Sequence, residues 1–268
     1  MQYSLFETML LYKDSIFLFR LHLQRLYKSA KALGFIHNHL ESFLYNLPTQ
    51  HNITRNIIQS LQLLGTLNIP NIPLAQHIIG LESCMKRNII YPHLWDDVEH
   101  LIALLKKNQC NTIDLESNTS SFMLCRLTLS SDGCLSFALQ ELKPITNTKI
   151  NLSIADYDTT PLSYHKTTQR LHFNNATQSI SNNEYFDYVY MNASSRLIEG
   201  SRSNILLAKN GKYYTPESSI GLLSGTLRDM FIFYGICEEK ILYKADLYNA
   251  DTIYCLNSVR GLIPVTLL

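Results

Sequence analysis

The 268-residue sequence lacks the patterns that mark metal-binding and nucleic-acid-binding proteins. Its six cysteines contain no C-x-x-C pair and no paired Cys/His spacing, so we expect neither a zinc nor an iron–sulfur site. The cysteines are Cys84, Cys110, Cys125, Cys134, Cys237 and Cys255. A formal net charge of +1 gives no overall field that would attract nucleic acid or a membrane surface.

Long apolar runs and a targeting segment are also missing. The longest uncharged stretch, from Asn56 to Leu81, is interrupted by Gln, Asn, Pro and Gly. A membrane span needs about 20 predominantly apolar residues, so this stretch does not qualify. Glu7 and Asp14 interrupt the N-terminus, which lacks the basic start and apolar core of a secretory signal. With free thiols and no export signal, the expected location is the cytoplasm.

The hydrophobic pattern of the first half predicts helices followed by a hairpin. Apolar residues at helical spacing predict one helix that ends before Gly34 and a second one that contains Leu101 and Leu105. The β-like runs Phe122–Ser130 and Cys134–Leu142 flank Ser-Asp-Gly, which predicts a hairpin turn with a glycine at positive φ. Residues 37–92 are rich in Asn, His, Gln and Pro. They are interpreted as a structural elaboration, with a family-specific insertion or a lid as the alternative.

The second half alternates short β-like runs with helical patterns. The β-like runs are Ile150–Ile154, Phe186–Asn192, Ile205–Ala208, Lys240–Tyr243 and Thr252–Asn257, and the helical patterns lie near Thr167–Ser179 and Leu227–Tyr234. Strands and helices in both halves predict an α+β fold. Pro144 to about Asn151 is the expected junction between two domains. The first is residues 1–145, with an insertion at about 37–92, and the second is residues 150–268.

Two polar segments of the second half carry ionisable residues. In the first, Lys166 lies beside His165 and Arg170, and neighbouring cations disfavour the ammonium form of a lysine and favour a nucleophilic amine. A solvated surface lysine is the common alternative. The second segment, Glu199 to Asn204, is either a loop entering a strand with Glu199 exposed, or the place of a buried carboxylate paired with a cation.

Two further segments are candidates for binding an anion. Gly221 to Arg228 brings small residues to a loop-to-helix junction, where backbone N–H groups and the helix dipole favour negative charge. An ordinary helix N-cap is the simpler interpretation. Asn257 to Val265 places a hydroxyl and a cation after an apolar strand, where they either hold a phosphate or carboxylate or form a solvated turn.

The order and spacing of these segments resemble the fold-type IV pyridoxal-phosphate enzymes. This family includes branched-chain and D-amino-acid aminotransferases and 4-amino-4-deoxychorismate lyase. The matching segments are Leu5-Phe6-Glu7-Thr8, His22 to Leu26 with Ser29-Ala30 and Leu33-Gly34, Glu199 to Asn204, and Leu223 to Arg228. They cover most of residues 4–36 and 94–268. The resemblance implies a two-domain α+β fold of the D-amino-acid-aminotransferase type, an active site at the domain interface, and a homodimer.

At the matching positions the resemblance implies a pyridoxal 5′-phosphate site without a metal. Lys166 would bind the cofactor as a Schiff base and then act as acid and base. Glu199 would face the pyridine nitrogen and keep it protonated, so that the ring accepts electrons. Arg25 would contact the phosphate. The other cofactor-binding positions that the motifs imply are Ser203, Asn204, Gly225, the backbone N–H groups of Thr226 and Leu227, and the Ser258 hydroxyl.

Three segments resemble the lyases of this family more than the aminotransferases. They are His165 to Arg170, which is similar to H-K-T-T-x-R, Asn257 to Gly261 with Pro264-Val265, and Arg126 to Leu129 before Asp132-Gly133. Aminotransferases tend to have a tyrosine five residues after the lysine, where this chain has Leu171. The resemblance therefore implies an aminodeoxychorismate lyase of folate biosynthesis, which forms 4-aminobenzoate and pyruvate. It also implies a functional link to aminodeoxychorismate synthase.

The substrate of such a lyase is a dianion, and arginines are suited to bind its carboxylates. Arg126, Arg170 and Arg260 are the candidates, with an organising role at the lysine or the cofactor as the alternative for Arg170. The chain begins too late to include the Y-G-D-G-like stretch that usually precedes L-F-E-T, and Leu227 replaces a threonine common in aminotransferases. A branched-chain or D-amino-acid aminotransferase and a non-catalytic cofactor-binding or interaction homologue are the alternative functions.

Overall fold

The structure, a computed structural model, describes residues 3–12, 15–46, 95–107, 122–154, 160–170 and 173–268. The described residues up to Leu142 belong to one compact unit, and those from Lys143 onwards belong to a second. Most of the predicted insertion at about 37–92 lies outside the described residues, as does Leu171. The domain boundaries predicted from the sequence stay a prediction.

The first unit contains a five-stranded antiparallel sheet with the strand order β3-β2-β1-β4-β5. The strands are β1 Leu5–Tyr12, β2 Ser15–Phe17, β3 Trp95–Asp97, β4 Phe122–Leu129 and β5 Leu135–Glu141. The described helices are α1 Phe19–Leu33, α2 Asn38–Asn46 and α3 Val98–Lys107. Side chains such as Leu5 of β1, Leu23 of α1 and Leu101 of α3 are fully buried in one common core.

Glycines end two of these elements where the sequence predicted them to do so. Helix α1 ends at Gly34, which has a φ of 72°, and the N–H of this residue donates to the carbonyl of Ala30. The β4–β5 hairpin turns at Gly133, which has a φ of 89°. Residues with a side chain rarely adopt such φ angles, so glycine avoids backbone strain at both positions. The predicted helices and hairpin of the first half are confirmed.

The second unit contains an eight-stranded mixed sheet with the order β11-β10-β9-β12-β13-β6-β7-β8. The strands are β6 Lys149–Ile154, β7 Asp187–Met191, β8 Leu197–Gly200, β9 Asn204–Lys209, β10 Lys212–Pro216, β11 Glu238–Lys240, β12 Thr252–Asn257 and β13 Gly261–Leu267. The described helices are α4 Asn174–Ser181, α5 Thr226–Phe233 and α6 Lys244–Tyr248, with 3-10 turns at Pro161–Tyr164 and Ser218–Ile220. Strands and helices in both units confirm the predicted α+β class.

Two predicted elements differ from the structure. The strand expected at Lys240–Tyr243 is Glu238–Lys240, and the helix expected near Thr167–Ser179 begins only at Asn174. None of the helices within the described ranges combines the length and the apolar character needed to cross a membrane.

Candidate active site

In the first unit, a buried carboxylate fixes the side chain of Arg25. Glu7 of β1 is 0% exposed, and Arg25 donates from Nε to Glu7 Oε1 at 2.8 Å and from Nη2 to Glu7 Oε2 at 2.5 Å. His22 Nδ1 lies 2.7 Å from the same Oε2. Burial alone would raise the pKa of Glu7, but the charges and hydrogen bonds of Arg25 and His22 lower it to about 2. Glu7 is therefore an anion that orients Arg25, a predicted phosphate ligand.

Arg126, a predicted substrate-binding residue of the same unit, lies on the exposed side of β4. Its guanidinium stacks over the ring of Phe6, with 4.0 Å between Cζ and the ring centroid. Desolvation by this neighbourhood lowers the pKa of Arg126. The stacking holds a positive charge on the surface of the sheet.

In the second unit, Glu199 is buried at the end of β8. Glu199 is 4% exposed, and its Oε1 accepts a hydrogen bond from the N–H of Leu223 at 3.3 Å. Arg170 Nη2 lies 3.9 Å from the same oxygen. The sequence allowed two interpretations of Glu199. Its interpretation as a buried carboxylate paired with a cation is confirmed, and its interpretation as an exposed loop residue is wrong.

Opposing effects set the ionisation of Glu199. Burial and the charge of Asp187 raise its pKa, while the charge of Arg170, the hydrogen bond from Leu223 and the charge of Lys166 lower it, and the net result is a pKa of about 7. A carboxyl with this pKa changes between neutral and charged forms near physiological pH. Such groups are typical of active sites, where burial and specific partners are combined to shift ionisation.

Lys166 follows the 3-10 turn Pro161–Tyr164, which a capping box between Thr160 and Ser163 closes at its start. The N–H of His165 donates to the carbonyl of Leu162 and so ends the turn. Lys166 is half-buried, and its charge acts on Glu199. The chain geometry thus directs the candidate nucleophile and the candidate partner of the pyridine nitrogen to the same region of the unit.

The residues after Lys166 hold Arg170 beside this region. Thr167 is 1% exposed, and its hydroxyl donates to the carbonyl of Gln169 at 3.2 Å. The guanidinium of Arg170 stacks on Phe173, with 4.2 Å between Cζ and the ring centroid. Burial lowers the pKa of His165, which disfavours a second cation next to Lys166.

Asp187 of β7 is a site residue that the sequence interpretation missed. It is 0% exposed and accepts hydrogen bonds from the turn between β8 and β9: from the Ser201 N–H at 3.0 Å, the Ser201 hydroxyl, the Arg202 N–H at 3.3 Å and the Ser203 hydroxyl at 2.5 Å. A Cβ added to Gly200 would overlap Asp187 Oδ2. Asp187 therefore fixes the turn that follows Glu199, and the Ser203 hydroxyl is directed to it. In the sequence Asp187 is a lone acid in an aromatic strand, which does not by itself distinguish a buried residue from an exposed one.

The start of α5 lies against the same turn. Asn204 Nδ2 donates to the carbonyl of Leu223 at 2.9 Å, and a Cβ added to Gly225 would overlap Asn204 Oδ1. Gly225 is the N-cap of α5, where it supplies no capping side chain, and Thr226 and Leu227 are the first helical residues. Backbone N–H groups at such a helix start favour an anion. Asn204 and Gly225 are thus in close contact.

The last residue of this motif, Arg228, has a structural contact network that the sequence did not indicate. It is 1% exposed and donates from Nη2 to the carbonyl of Pro216 at 2.7 Å and to Glu239 at 2.5 Å. Its Nη1 donates to the Ser224 hydroxyl at 3.0 Å. These contacts connect α5 to the end of β10 and to β11.

The predicted residues Ser258 and Arg260 lie in the turn between β12 and β13. Ser258 is 7% exposed, and the N–H groups of Val259 and Arg260 donate to Asn257 Oδ1 at 3.1 and 2.8 Å. Gly261, with a φ of 78°, ends the turn. The asparagine therefore fixes the backbone of the segment that carries both predicted side chains.

The structure brings the predicted residues together within each unit. Lys166, Arg170 and Glu199 form one electrostatic cluster in the second unit. Leu223, which precedes α5, connects Glu199 to Asn204 at the end of the β8–β9 turn. Its N–H donates to Glu199 Oε1, and its carbonyl accepts from Asn204 Nδ2. Arg25 and Arg126 belong to the first unit.

A solved structure of similar fold covers the whole chain. The crystal structure of a protein of Mesorhizobium loti, assigned as an amino-acid aminotransferase, matches with a TM-score of 0.67 at 22% sequence identity, over 100% of this chain and 100% of that chain. A likeness at this level of identity shows the fold.

Two curated relatives match parts of the sequence. A probable branched-chain-amino-acid aminotransferase of Thermotoga maritima is 30% identical over 85 residues, which are 30% of this chain and 31% of the relative. The aminodeoxychorismate lyase of Vibrio harveyi is 28% identical over 110 residues, which are 39% of this chain and 41% of the relative. In both cases the match spans less than half of the relative's length.

A family model assigns the chain more directly. The model of the family described as amino-transferase class IV matches residues 74–268, which is more than half of the chain. The matched range contains the cluster of Lys166, Arg170 and Glu199 together with the β8–β9 turn and the start of α5. The chain belongs to the class IV aminotransferase family.

Proposed function

We propose that the chain is an aminodeoxychorismate lyase, which converts 4-amino-4-deoxychorismate to 4-aminobenzoate and pyruvate. Enzymes of the class IV aminotransferase family depend on pyridoxal 5′-phosphate, which is therefore the cofactor of this chain. The observation that carries the proposal is the cluster of Lys166, Arg170 and the buried Glu199. A homodimer and a functional link to aminodeoxychorismate synthase belong to the same proposal.

The residues of the second unit fit this cofactor in their chemistry. A buried carboxyl with a pKa of about 7, Glu199, suits a pyridine nitrogen, because the two groups can share a proton at neutral pH. Lys166 supplies the amine within electrostatic reach of this carboxyl. Gly225, the N-cap of α5, has no side chain, and the backbone N–H groups at the start of a helix favour the charge of a phosphate.

When bound, the cofactor supplies an electron sink for charge that develops on the substrate carbon next to nitrogen. Lys166 holds the cofactor and, as a free amine, takes the proton from the ring carbon that bears the amino group. Breakage of the ring carbon–oxygen bond then releases the enolpyruvyl group and makes the ring aromatic. Lys166 returns a proton to the methylene carbon of the leaving fragment, which becomes pyruvate, so atoms and protons balance.

The other named residues have binding and orienting roles in this proposal. Arg25, Ser203, Asn204, Gly225 and Ser258 would contact the cofactor or fix the backbone around it. Arg126 and Arg260 would bind the two carboxylates of the substrate, because guanidinium groups pair with carboxylates in bidentate geometry.

Three segments favour the lyase over a transaminase. The sequence around Lys166, the β4 strand with Arg126, and the turn with Ser258 and Arg260 all resemble lyase patterns, and Leu171 provides no phenol five residues after the lysine. The identity to the Thermotoga maritima relative favours an aminotransferase as the second candidate. The two candidates differ in whether an amino acceptor is required.

An assay without any keto acid separates these two candidates. Purified, cofactor-loaded protein is incubated with 4-amino-4-deoxychorismate, and release of 4-aminobenzoate and pyruvate is measured. We expect both products in equal amounts. A reaction that proceeds only after an amino acceptor is added would establish the aminotransferase instead.

A spectroscopic test addresses the lysine itself. We expect a visible absorbance band in the cofactor-loaded protein that borohydride abolishes and that Lys166→Ala lacks, because the reducible imine bond to the cofactor aldehyde requires a primary amine. Lys212→Ala removes an exposed lysine of β10 and serves as the matched control, with an unchanged band. Absence of the band in the wild-type protein would support a non-catalytic homologue.

A further inference from the structure

Arg170 contacts the one carboxylate that the proposed function assigns to the cofactor ring. Its Nη2 lies 3.9 Å from Glu199 Oε1, and the exposed fractions of the two side chains are 18% and 6%. The guanidinium also stacks on Phe173, which is itself 4% exposed. The pair is therefore largely removed from water, where a charge–charge interaction is stronger than on the surface.

We infer that Arg170 is a positioning residue for Glu199, which holds the buried carboxyl group in place and favours its charged form, and that it does not bind a carboxylate of the substrate. The inference rests on the proposed function, because it names a role at the same site. It replaces the substrate-binding role that the sequence resemblance implied for Arg170.

The charged form of Glu199 depends on a nearby cation, because few hydrogen bonds reach its carboxyl group. Burial alone costs the charged form of Glu199 a large free energy, which one backbone hydrogen bond from Leu223 offsets only in part. Lys166 also acts on Glu199, but the proposed chemistry requires Lys166 as a neutral amine, so its charge is not constant. The guanidinium of Arg170 stays protonated throughout.

The surroundings of Glu199 contain charges of both signs. Lys166 and Arg170 face it from the segment after the 3-10 turn, the Leu223 N–H faces it from the segment before α5, and Asp187 acts on it from β7. Asp187 favours the neutral form of Glu199, which is the opposite of the effect of Arg170. A fixed cation close to Glu199 therefore decides whether the carboxyl is charged at neutral pH.

The stacking on Phe173 explains why an arginine is suited to this position. A planar guanidinium can lie flat on an aromatic ring while its edge points to a carboxylate, whereas the compact ammonium of lysine cannot do both. The Phe173 N–H donates to the carbonyl of Arg170 at 2.9 Å, and the Phe173 ring meets Tyr190 edge to face with 4.9 Å between centroids. The ring that supports the guanidinium is thus fixed.

The test is a titration of Glu199 in the full chain without cofactor. Carboxyl carbons of glutamate are labelled with ¹³C, and the Glu199 resonance is assigned by its loss in Glu199→Gln. In the wild type we expect a midpoint near pH 7. Arg170→Gln should move this midpoint upward by at least one pH unit, and Arg170→Lys should move it upward by less, because the charge remains but the stacked geometry is lost.

Arg196→Gln is the matched control. Arg196 forms an ion pair with Glu217, so its replacement removes a cation of the same unit without touching Glu199. We expect an unchanged Glu199 midpoint in this variant. If Arg170→Gln does not fold, the lysine variant, which keeps the charge, provides the same comparison with a smaller expected shift.

Kinetics of the cofactor-loaded enzyme separate positioning from substrate binding. Arg170→Gln should lower kcat by about tenfold or more and shift the pH dependence of the visible band, with KM changed less than threefold. An unchanged Glu199 midpoint in both Arg170 variants, together with an increase confined to KM, would overturn the inference and restore the substrate-binding role. Because the titration needs neither cofactor nor substrate, its result is distinguishable from a failure of the proposed lyase activity.

Discussion

At the scale of single residues, Asp187 shows how a functional loop depends on an acid that has no contact role in the proposed reaction. Its carboxylate receives donors from three consecutive residues, Ser201, Arg202 and Ser203. It is 0% exposed, and burial raises its pKa, while the two serine hydroxyls lower it. The small residues of the turn are therefore explained by the space and the donors that this carboxylate requires.

Asp187→Ala should destabilise the second unit. The substitution leaves buried N–H and hydroxyl groups of the turn without their acceptor, so we expect a loss of about 3 kcal/mol in the free energy of unfolding. Asp187→Asn, which keeps an acceptor oxygen, should lose less than half as much. Urea unfolding followed by circular dichroism measures both.

The control for Asp187 is Asp251→Ala. Asp251 is exposed and accepts one hydrogen bond, from the Asn210 N–H at 2.7 Å, so its removal should cost far less. Equal losses for the Asp187 and Asp251 variants would show that the turn does not depend on the buried acid.

At the scale of elements, sequence patterns located the strands and helices whose polar and apolar sides differ. The β4–β5 hairpin and helices α1 and α3 have a clear periodicity and end at residues that suit a turn or a helix end. The strand predicted at Lys240–Tyr243 is wrong because Ile241 and Tyr243 are about half exposed, at 50% and 45%. Pairing with β10 instead selects Glu238–Lys240, a polar edge strand whose composition gives no strand signal.

Strand β13, Gly261–Leu267, is not among the predicted strands, and it contains Pro264. The proline is tolerated at a position opposite Tyr254 in the β12–β13 ladder, which only the register of the sheet reveals. The helix α4 begins later than predicted because Thr167 is buried and its hydroxyl bonds locally to the Gln169 carbonyl. Contacts between distant parts of the chain determine both the strand β13 and the start of α4, and the periodicity of a single sequence does not reveal such contacts.

For the candidate site, the motifs located Lys166 and Glu199, and the resemblance supplied their chemical roles. The contacts of Arg170 and Asp187 with the Glu199 region were not predictable, because they join segments that are distant in sequence. A lone acid inside a strand pattern also fits an outward-facing position, so Asp187 gave no distinct signal. The motifs do not show which residues of distant segments come into contact in the fold.

Gly225→Ala tests the junction between the β8–β9 region and α5. The φ of Gly225 is −70°, which alanine adopts without strain, so the added methyl group acts only through its overlap with Asn204. We expect a loss of at least tenfold in affinity for pyridoxal 5′-phosphate, since the start of α5 with the donors of Thr226 and Leu227 must shift. Titration of the visible absorbance with cofactor measures this affinity.

Gly211→Ala is the control for this variant. Gly211 has a φ of 73° and nothing within 4 Å of an added Cβ, so alanine there costs about 1 kcal/mol of backbone strain and no contact. Its cofactor affinity should equal that of the wild type. A Gly225→Ala protein that binds the cofactor as tightly as Gly211→Ala would show that the overlap with Asn204 is relieved without moving the helix.

At the scale of the whole molecule, Glu7 in the first unit and Glu199 in the second are both buried, and their pKa values shift in opposite directions. Glu7 has two close partners, Arg25 and His22, and its pKa falls to about 2. For Glu199, burial raises the pKa to about 7, because its nearest arginine is more distant and offsets the effect of burial only in part, and because the charge of Asp187 adds to it. Equal burial thus gives a permanent anion in the first unit and a titrating group in the second, which suits an orienting role for Glu7 and a chemical role for Glu199.

The opposite shifts predict opposite effects of pH on the stability of the two units. The pKa of Glu7 is about 2 in the folded protein, against 4.5 for an unperturbed glutamate. The stability that it contributes is therefore fully present above pH 4.5 and is lost as the pH falls towards 2, by about 3 kcal/mol in total. For Glu199 the folded pKa is the higher one, so its contribution is present below pH 4.5 and is lost as the pH rises through 7.

Glu7→Gln should remove the acid-dependent part of the stability of the first unit. At pH 7 the variant leaves Arg25 and His22 beside a neutral amide, so we expect it to be less stable than the wild type by about 3 kcal/mol. As the pH falls from 4.5 to 2, the wild-type carboxylate is protonated and the two proteins should converge. Urea unfolding at several pH values, followed by the fluorescence of Trp95, the single tryptophan of the chain, measures this difference.

Glu41→Gln is the matched control in the same unit. Its carboxylate is exposed and accepts a hydrogen bond from the Tyr27 hydroxyl at 2.7 Å, so its removal should leave the acid dependence of unfolding as in the wild type. A constant difference between Glu7→Gln and the wild type from pH 7 to pH 2 would contradict the proposed ionisation of Glu7. It would show that the glutamate stabilises β1 and α1 through shape and hydrogen bonding, since a loss of charge pairing must disappear once the carboxyl is neutral.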